Sequence, residues 1–118
     1  MITYLALLQF KHWYIDFVLQ NDEMVAGKGI YGNLIGMWHS FQHGIGTFLI
    51  SVLVVEWKVA ACIAMFDFIT HYHIDWVKMN VNKKYGWKAD THPEFWIALG
   101  LDQLAHYLTY CLLIGMIL

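Results

Sequence analysis

Four apolar segments, each close to the roughly 20 residues that cross a bilayer core, each carry one pair of His or Asp residues spaced i,i+4. The segments run over residues 2–20, about 30–55, about 59–82 and about 92–118. Their pairs are His12 and Asp16, His39 and His43, His71 and Asp75, and Asp102 and His106. On a helix that spacing puts both side chains on one face, one turn apart. Ionisable groups in an apolar interior are costly unless something compensates them. The chain therefore has to fold so that these pairs meet.

The pairs also recur in order. "KHWYIDFVLQ" (11–20) and "THYHIDWVKM" (70–79) share His-x-x-x-Asp with aromatic and aliphatic neighbours in register. His12 to His71 and Asp16 to Asp75 are both 59 positions; His39 to Asp102 and His43 to His106 are both 63. The four extra positions fall where the connection "NKKYGWKADTHPE" can absorb them. This predicts an all-α, integral membrane four-helix up-down bundle with a pseudo-two-fold repeat of helical hairpins, in a single domain over 1–118.

Composition supports the membrane part. The chain is 59% hydrophobic and 14% charged, where a soluble domain is nearer 45–50% apolar and about 25% charged. A soluble bundle with a very apolar surface stays open as the alternative. With no Arg and a net charge of −2, no basic surface speaks for nucleic acid. Cys62 and Cys111 lie in apolar runs and read as two buried thiols rather than a disulfide. "MITYLALLQF" lacks a basic leader region and reads as part of the mature protein. The separators are "NDEMVAGKG", "EWK" and a longer polar stretch ending in Thr91-x-x-Glu94, a capping-box pattern with Pro93 in the first turn. Trp57, Trp87 and Trp96 fall near segment ends, where a membrane interface favours them. Lys28, Lys83, Lys84 and Lys88 follow segments 1 and 3, against Lys58 after segment 2. The positive-inside rule then puts loops 1 and 3 in the cytoplasm.

The four pairs come within a turn or two of one height in an up-down bundle, nearer the loop 1 and loop 3 end, at 1.5 Å rise per residue. Any one pair alone reads as structural packing, and His and Asp also line proton paths. Four pairs at matched depth favour a shared metal centre. Five His and three Asp suit two divalent ions, and a set without thiolate fits zinc, iron or manganese. Asp67 shares the face of His71 and is expected to orient that imidazole or to act as acid or base. Lys28 and Lys78 are expected to hold an anionic headgroup or phosphate, with plain surface anchoring as the alternative. His73 points elsewhere on its helix, and His92 reads as solvated. Gly32, Gly36, Gly44 and Gly46 read as sites of close helix packing, with Gly44 leaving room beside His43.

"HWYIDFVLQNDEMVAGKG", "WHSFQH", "THYHIDWVK" and "LDQLAH" together resemble the DUF3307 family, small uncharacterised membrane proteins of bacteria and phages. The resemblance covers roughly residues 8–110. Its marks fall on His12, Asp16, Gln20, Asp22, Lys28, His39, His43, His71, Asp75, Lys78, Asp102, Gln103 and His106. It implies a small membrane protein, with the bacterial inner membrane as its expected location, and a distant similarity to membrane-bound metal-dependent hydrolases. It implies no substrate.

The expected function is a membrane hydrolase of a lipid or phosphate ester, with His12, Asp16, His39, His43, His71, Asp75, Asp102 and His106 as ligands of two metals. Asp67, Lys28 and Lys78 would serve catalysis, and membrane lipid would be the partner. Two rivals stay open: a di-iron oxidoreductase acting on acyl chains, and a non-enzymatic metal or proton transporter or metal-stapled interaction protein. The oligomeric state is open.

Overall fold

A computed structural model describes residues 1–118. The chain is all-helical, with five helices and no strand. α1 spans Ile2–Tyr14 and continues without a break as a wider π-helical turn over Ile15–Leu19. α2 is Asp22–Lys28, α3 Leu34–Ser51, α4 Trp57–Tyr85 and α5 Pro93–Ile117.

Local chemistry sets several of these ends. The Asn21 side chain accepts from Met24 N at 2.9 Å and starts α2. Asn33 accepts from Ile35 N and Gly36 N at 3.0 and 3.1 Å and starts α3. Gly86, at φ 67°, closes α4 in the left-handed region. The stretch "NDEMVAGKG", expected as a plain separator, is thus mostly a helix, and the second long helix begins at Leu34 rather than near residue 30. Two Asn caps restart the helix where apolarity shows only one boundary. The expected capping box also does not form. Pro93 holds His92 extended at φ −125°, ψ 115°, so His92 becomes the cap position and α5 starts one residue late. Thr91 is left outside the helix, where its hydroxyl meets His92 Nδ1 at 2.8 Å.

The four long helices form an antiparallel ring in which α1 packs on α3 and α5, α3 on α4, and α4 on α5. Tyr4 near the start of α1 bonds Ser51 at the end of α3. Asp75 late in α4 faces His106 in α5. This is the up-down order the spacing predicts. α2 lies across α3 and α4. It is held there by a crossing too close for any side chain: a Cβ on Gly36 would stand 2.6 Å from Gly27 O and 2.9 Å from Lys28 N. Gly44 packs against Phe68 and Ala64 of α4. It therefore serves the helix contact and does not leave room at His43.

Burial runs opposite to that of an ordinary soluble domain. More of the 27 buried residues are polar or charged than hydrophobic. The apolar core is small: Tyr4, Leu8, Ile63, Tyr110 and Leu113, at one end of the bundle. Large apolar side chains cover the outside, among them Phe10, Phe17, Phe41, Leu49, Ile97 and Leu112. Cys62 and Cys111 are free and exposed, not buried. They sit on outward helix faces, and in this chain an apolar neighbourhood in sequence marks the outside as much as the inside. By length and composition one helix, α5, is long and apolar enough to cross a membrane.

Two glycine substitutions should move stability in opposite directions. Gly36→Ala forces backbone apart at the α2–α3 crossing and should cost about 1–3 kcal/mol. Gly100→Ala, in α5 with nothing within 4 Å of the added carbon, should stabilise by roughly 0.5–1 kcal/mol. Thermal unfolding of the purified proteins reads both.

Candidate metal centre

The i,i+4 pairs meet in the half of the bundle away from the apolar core. Asp16, in the π-helical turn, puts Oδ1 2.9 Å from His43 Nε2 and 3.1 Å from His39 Nε2, and Oδ2 3.0 Å from His12 Nε2. Asp75 occupies the matching position on α4. Its Oδ1 lies 3.1 Å from His106 Nε2, and its Oδ2 lies 3.2 Å from His71 Nε2 and 3.5 Å from His39 Nε2. The contacts of one repeat thus recur in the other: Asp16 with His12 and His43, Asp75 with His71 and His106. The His71 ring stacks between those of His43 and His106, at 3.6 and 4.0 Å between centroids. Asp102 stands at the edge, its Oδ1 3.6 Å from His106 Nε2. All eight residues are buried.

Three sets of donor atoms lie within 4.8 Å of one another: Asp16, His39, His43 and His71; His12, His71 and His106; and Asp75, Asp102 and His106. Hydrogen bonds within the chain do not reach every atom of this group. Both ring nitrogens of His39 and of His71, Asp75 Oδ2 and Asp102 Oδ1 are buried with no hydrogen-bond partner. His39 Nε2, His71 Nε2 and the two carboxylate oxygens approach opposite partners without forming hydrogen bonds. Donors about 2.0–2.2 Å from a tetrahedral cation stand roughly 3.3–3.6 Å apart, close to the separations seen here. The donor set, imidazole and carboxylate without thiolate, fits a divalent ion such as zinc, iron or manganese.

The other expected site residues sort differently. Lys28 is not on a loop. α2 buries it, and its Nζ donates to Gln20 Oε1 at 2.7 Å and lies 3.2 Å from Asp75 Oδ2. Lys78, half-buried, reaches Asp102 Oδ2 at 3.4 Å. Both lysines therefore face carboxylates of the centre. Asp67 does not orient His71 as expected. It lies one layer toward the apolar core, where Lys11 Nζ donates to it at 2.9 Å and Thr47 also donates to it. His73 is exposed and bonds Ile69 O and Tyr31 OH, away from the centre as expected. His92 contacts Thr91 and Lys88 N in the connection before α5.

Sequence reasoning gave no role to Lys11 or Tyr110. Lys11 is buried, and its ammonium also donates to Tyr110 OH at 3.0 Å and His43 O at 3.3 Å, with His43 Nδ1 at 3.4 Å. Tyr110 OH is 3.0 Å from His12 Nδ1, and Gln103 Oε1 is 3.0 Å from His12 Nε2. The second layer thus grips the far sides of His12 and His43. The signal for Lys11 was a cation well inside an apolar segment; its partner Asp67, three helices on, has no spacing that names it.

The fold and centre define a class: an antiparallel helical bundle with an apolar exterior around a buried cluster of His and Asp. The chain belongs to DUF3307, a family of proteins of unknown function whose profile matches residues 4–117. No curated protein and no solved structure matches it. The family match spans all eight residues of the centre.

The Lys11–Asp67 pair yields a test by single and double substitution. Asp67→Asn leaves the Lys11 ammonium buried without its counter-charge and should cost about 3–5 kcal/mol in unfolding free energy. Lys11→Met with Asp67→Leu removes both charges and should recover most of that loss.

Proposed function

We propose that this protein is a membrane-embedded, metal-dependent hydrolase of a lipid or phosphate ester, with two divalent ions held by the eight His and Asp residues. The observation that carries this is the set of buried donor atoms without hydrogen-bond partners, at separations suited to a shared cation. Of those atoms Asp75 Oδ2 has the Lys28 ammonium beside it; the ring nitrogens of His39 and His71 and Asp102 Oδ1 have no hydrogen bond. His12, Asp16, His39 and His43 from the first repeat and His71, Asp75, Asp102 and His106 from the second would hold the metal. When bound, the ions would polarise an ester oxygen and generate hydroxide from water near neutral pH.

The chain's own residues support such chemistry. Lys28 and Lys78 stand beside Asp75 and Asp102, where their charge would offset that of an anionic substrate. Tyr110 and Lys11 hold His12 and His43 from behind, which limits how these rings turn. The small apolar core at the opposite end closes the site to water from that side.

The polar interior and apolar exterior support the membrane part of the proposal, since a bilayer solvates apolar side chains and leaves polar ones to pair inside. Orientation rests on Lys83, Lys84 and Lys88 at the α4–α5 connection against Lys58 at the α3–α4 turn. Lys28, buried and paired, adds no surface charge to that count. Reporter fusions at Gly86 should read as cytoplasmic and fusions at Lys58 as external. The opposite pattern would reverse the orientation, and a wholly soluble protein would end the membrane proposal.

Elemental analysis of the purified protein should find about two zinc, manganese or iron ions per chain. Redox-active iron would turn the proposal toward an oxidoreductase. His71→Ala should lower metal content and melting temperature together. His73→Ala, two residues away but outside the centre, should leave both near wild type. Full metal content in His71→Ala would remove His71 from the ligand set and with it the shared centre.

A further inference from the structure

At the loop end of the bundle a cavity of about 480 Å³ is lined by Lys28, Lys78, Lys83 and Lys88, with Trp87 and Phe95 among its apolar walls and no Asp or Glu. Lys83 and Lys88 are exposed. Lys28 and Lys78 are the two lysines that also face Asp75 and Asp102 of the centre. A second cavity of about 410 Å³ runs along the groove between α4 and α5. Ile74, Val77, Val81, Ala98 and Leu101 make it apolar, and Lys78 and Asp102 stand on its wall. The two cavities therefore share Lys78, and the apolar one reaches Asp102, whose Oδ1 has no hydrogen-bond partner.

A basic pocket and an apolar groove that join at one lysine have the shape of a single kind of ligand. Lys28 and Lys78 already face Asp75 and Asp102, whereas the exposed Lys83 and Lys88 have no carboxylate beside them in the cavity; an anion between these two relieves their repulsion. The strongest anion for several Lys donors at a membrane surface is a phosphate. Apart from Lys78 and Asp102 at the junction, the polar side chain on the groove is His73, whose ring nitrogens already bond Ile69 O and Tyr31 OH, so what extends along the groove is a hydrocarbon chain. A soluble anion would leave the groove empty, and a neutral lipid would leave Lys83 and Lys88 unpaired.

We propose that these cavities seat an acyl lipid with a net-anionic terminal phosphate, its headgroup held by Lys83 and Lys88 beside Lys28 and Lys78 and one chain in the α4–α5 groove. This deepens the hydrolase proposal by naming its substrate class. The headgroup would lie beside Asp75 and Asp102, so the bond nearest the centre is the phosphate ester. Lys83 and Lys88 recruit and orient the lipid; neither touches the His/Asp cluster.

The test is lipid binding to the detergent-solubilised full chain by native mass spectrometry, with phosphatidic acid and phosphatidylcholine of identical chains as probes. Phosphatidic acid should bind about tenfold or more tightly, and the Lys83→Gln/Lys88→Gln double variant should erase that preference. Raising the salt should weaken it too. Ala98→Phe, which fills the groove, should weaken binding of both lipids. Elemental analysis of the same samples should show unchanged metal in both variants. Equal binding of the two lipids, or full preference in the double variant, would overturn the proposal. Inorganic phosphate competing as strongly as the lipid would overturn the groove's part in it. A protein that keeps its metal and cleaves a soluble phosphate ester yet shows no lipid preference would refute this seat alone. Lipid preference in a metal-free protein would refute the hydrolase alone.

Discussion

Two buried carboxylates, Asp16 and Asp75, organise the molecule. Each gathers imidazoles from its own helix and from its neighbours, and between them they touch all five His of the centre. In a low-dielectric interior, charges of one sign cannot gather without compensation. The two Asp therefore dictate where each His-bearing helix face must point. Helices α1, α3, α4 and α5 have one rotation each that satisfies this, and the antiparallel ring follows from it.

The rest of the bundle is layered about that demand. The apolar core of Tyr4, Leu8, Ile63, Tyr110 and Leu113 closes one end. Lys11, Asp67 and Thr47 form the next layer, joined to the centre through Tyr110 and His43. The His/Asp layer follows, then Lys28 and Lys78, then the exposed Lys83 and Lys88. Positive charge thus lies on both sides of the carboxylates along the bundle axis. Small α2 is part of this order: its glycine crossing on α3 brings Lys28 over Asp75.

Much of the centre was legible because helix periodicity is a local property. A His or Asp four residues from another shares its face whatever the tertiary fold, and equal spacing between repeats sets equal heights. The alternation of apolar runs and polar breaks gave the up-down order for the same reason. The failures are also physical. Asp67 shares a face with His71, so spacing alone suggested a contact; the nearer Lys11 cation from another helix takes its carboxylate instead. Lys28 looked like a loop lysine because Asn21 and Asn33 caps, which start α2 and α3, leave no trace in an apolarity pattern. The thiols of Cys62 and Cys111 were misplaced because apolar side chains cover the outside of this bundle, so an apolar context in sequence does not imply burial.

What the sequence determined by itself is the set of groups that must meet and the helix face each occupies. Those follow from a fixed 3.6-residue period and the cost of leaving charge uncompensated in an apolar interior. What only the tertiary structure decided is which group pairs with which. Lys11 to Asp67, Tyr110 to His12, Lys28 to Asp75 and Lys78 to Asp102 join residues on different helices. Their partners are chosen by the rotation and height of packed helices, and no spacing along the chain encodes a distance between two of them.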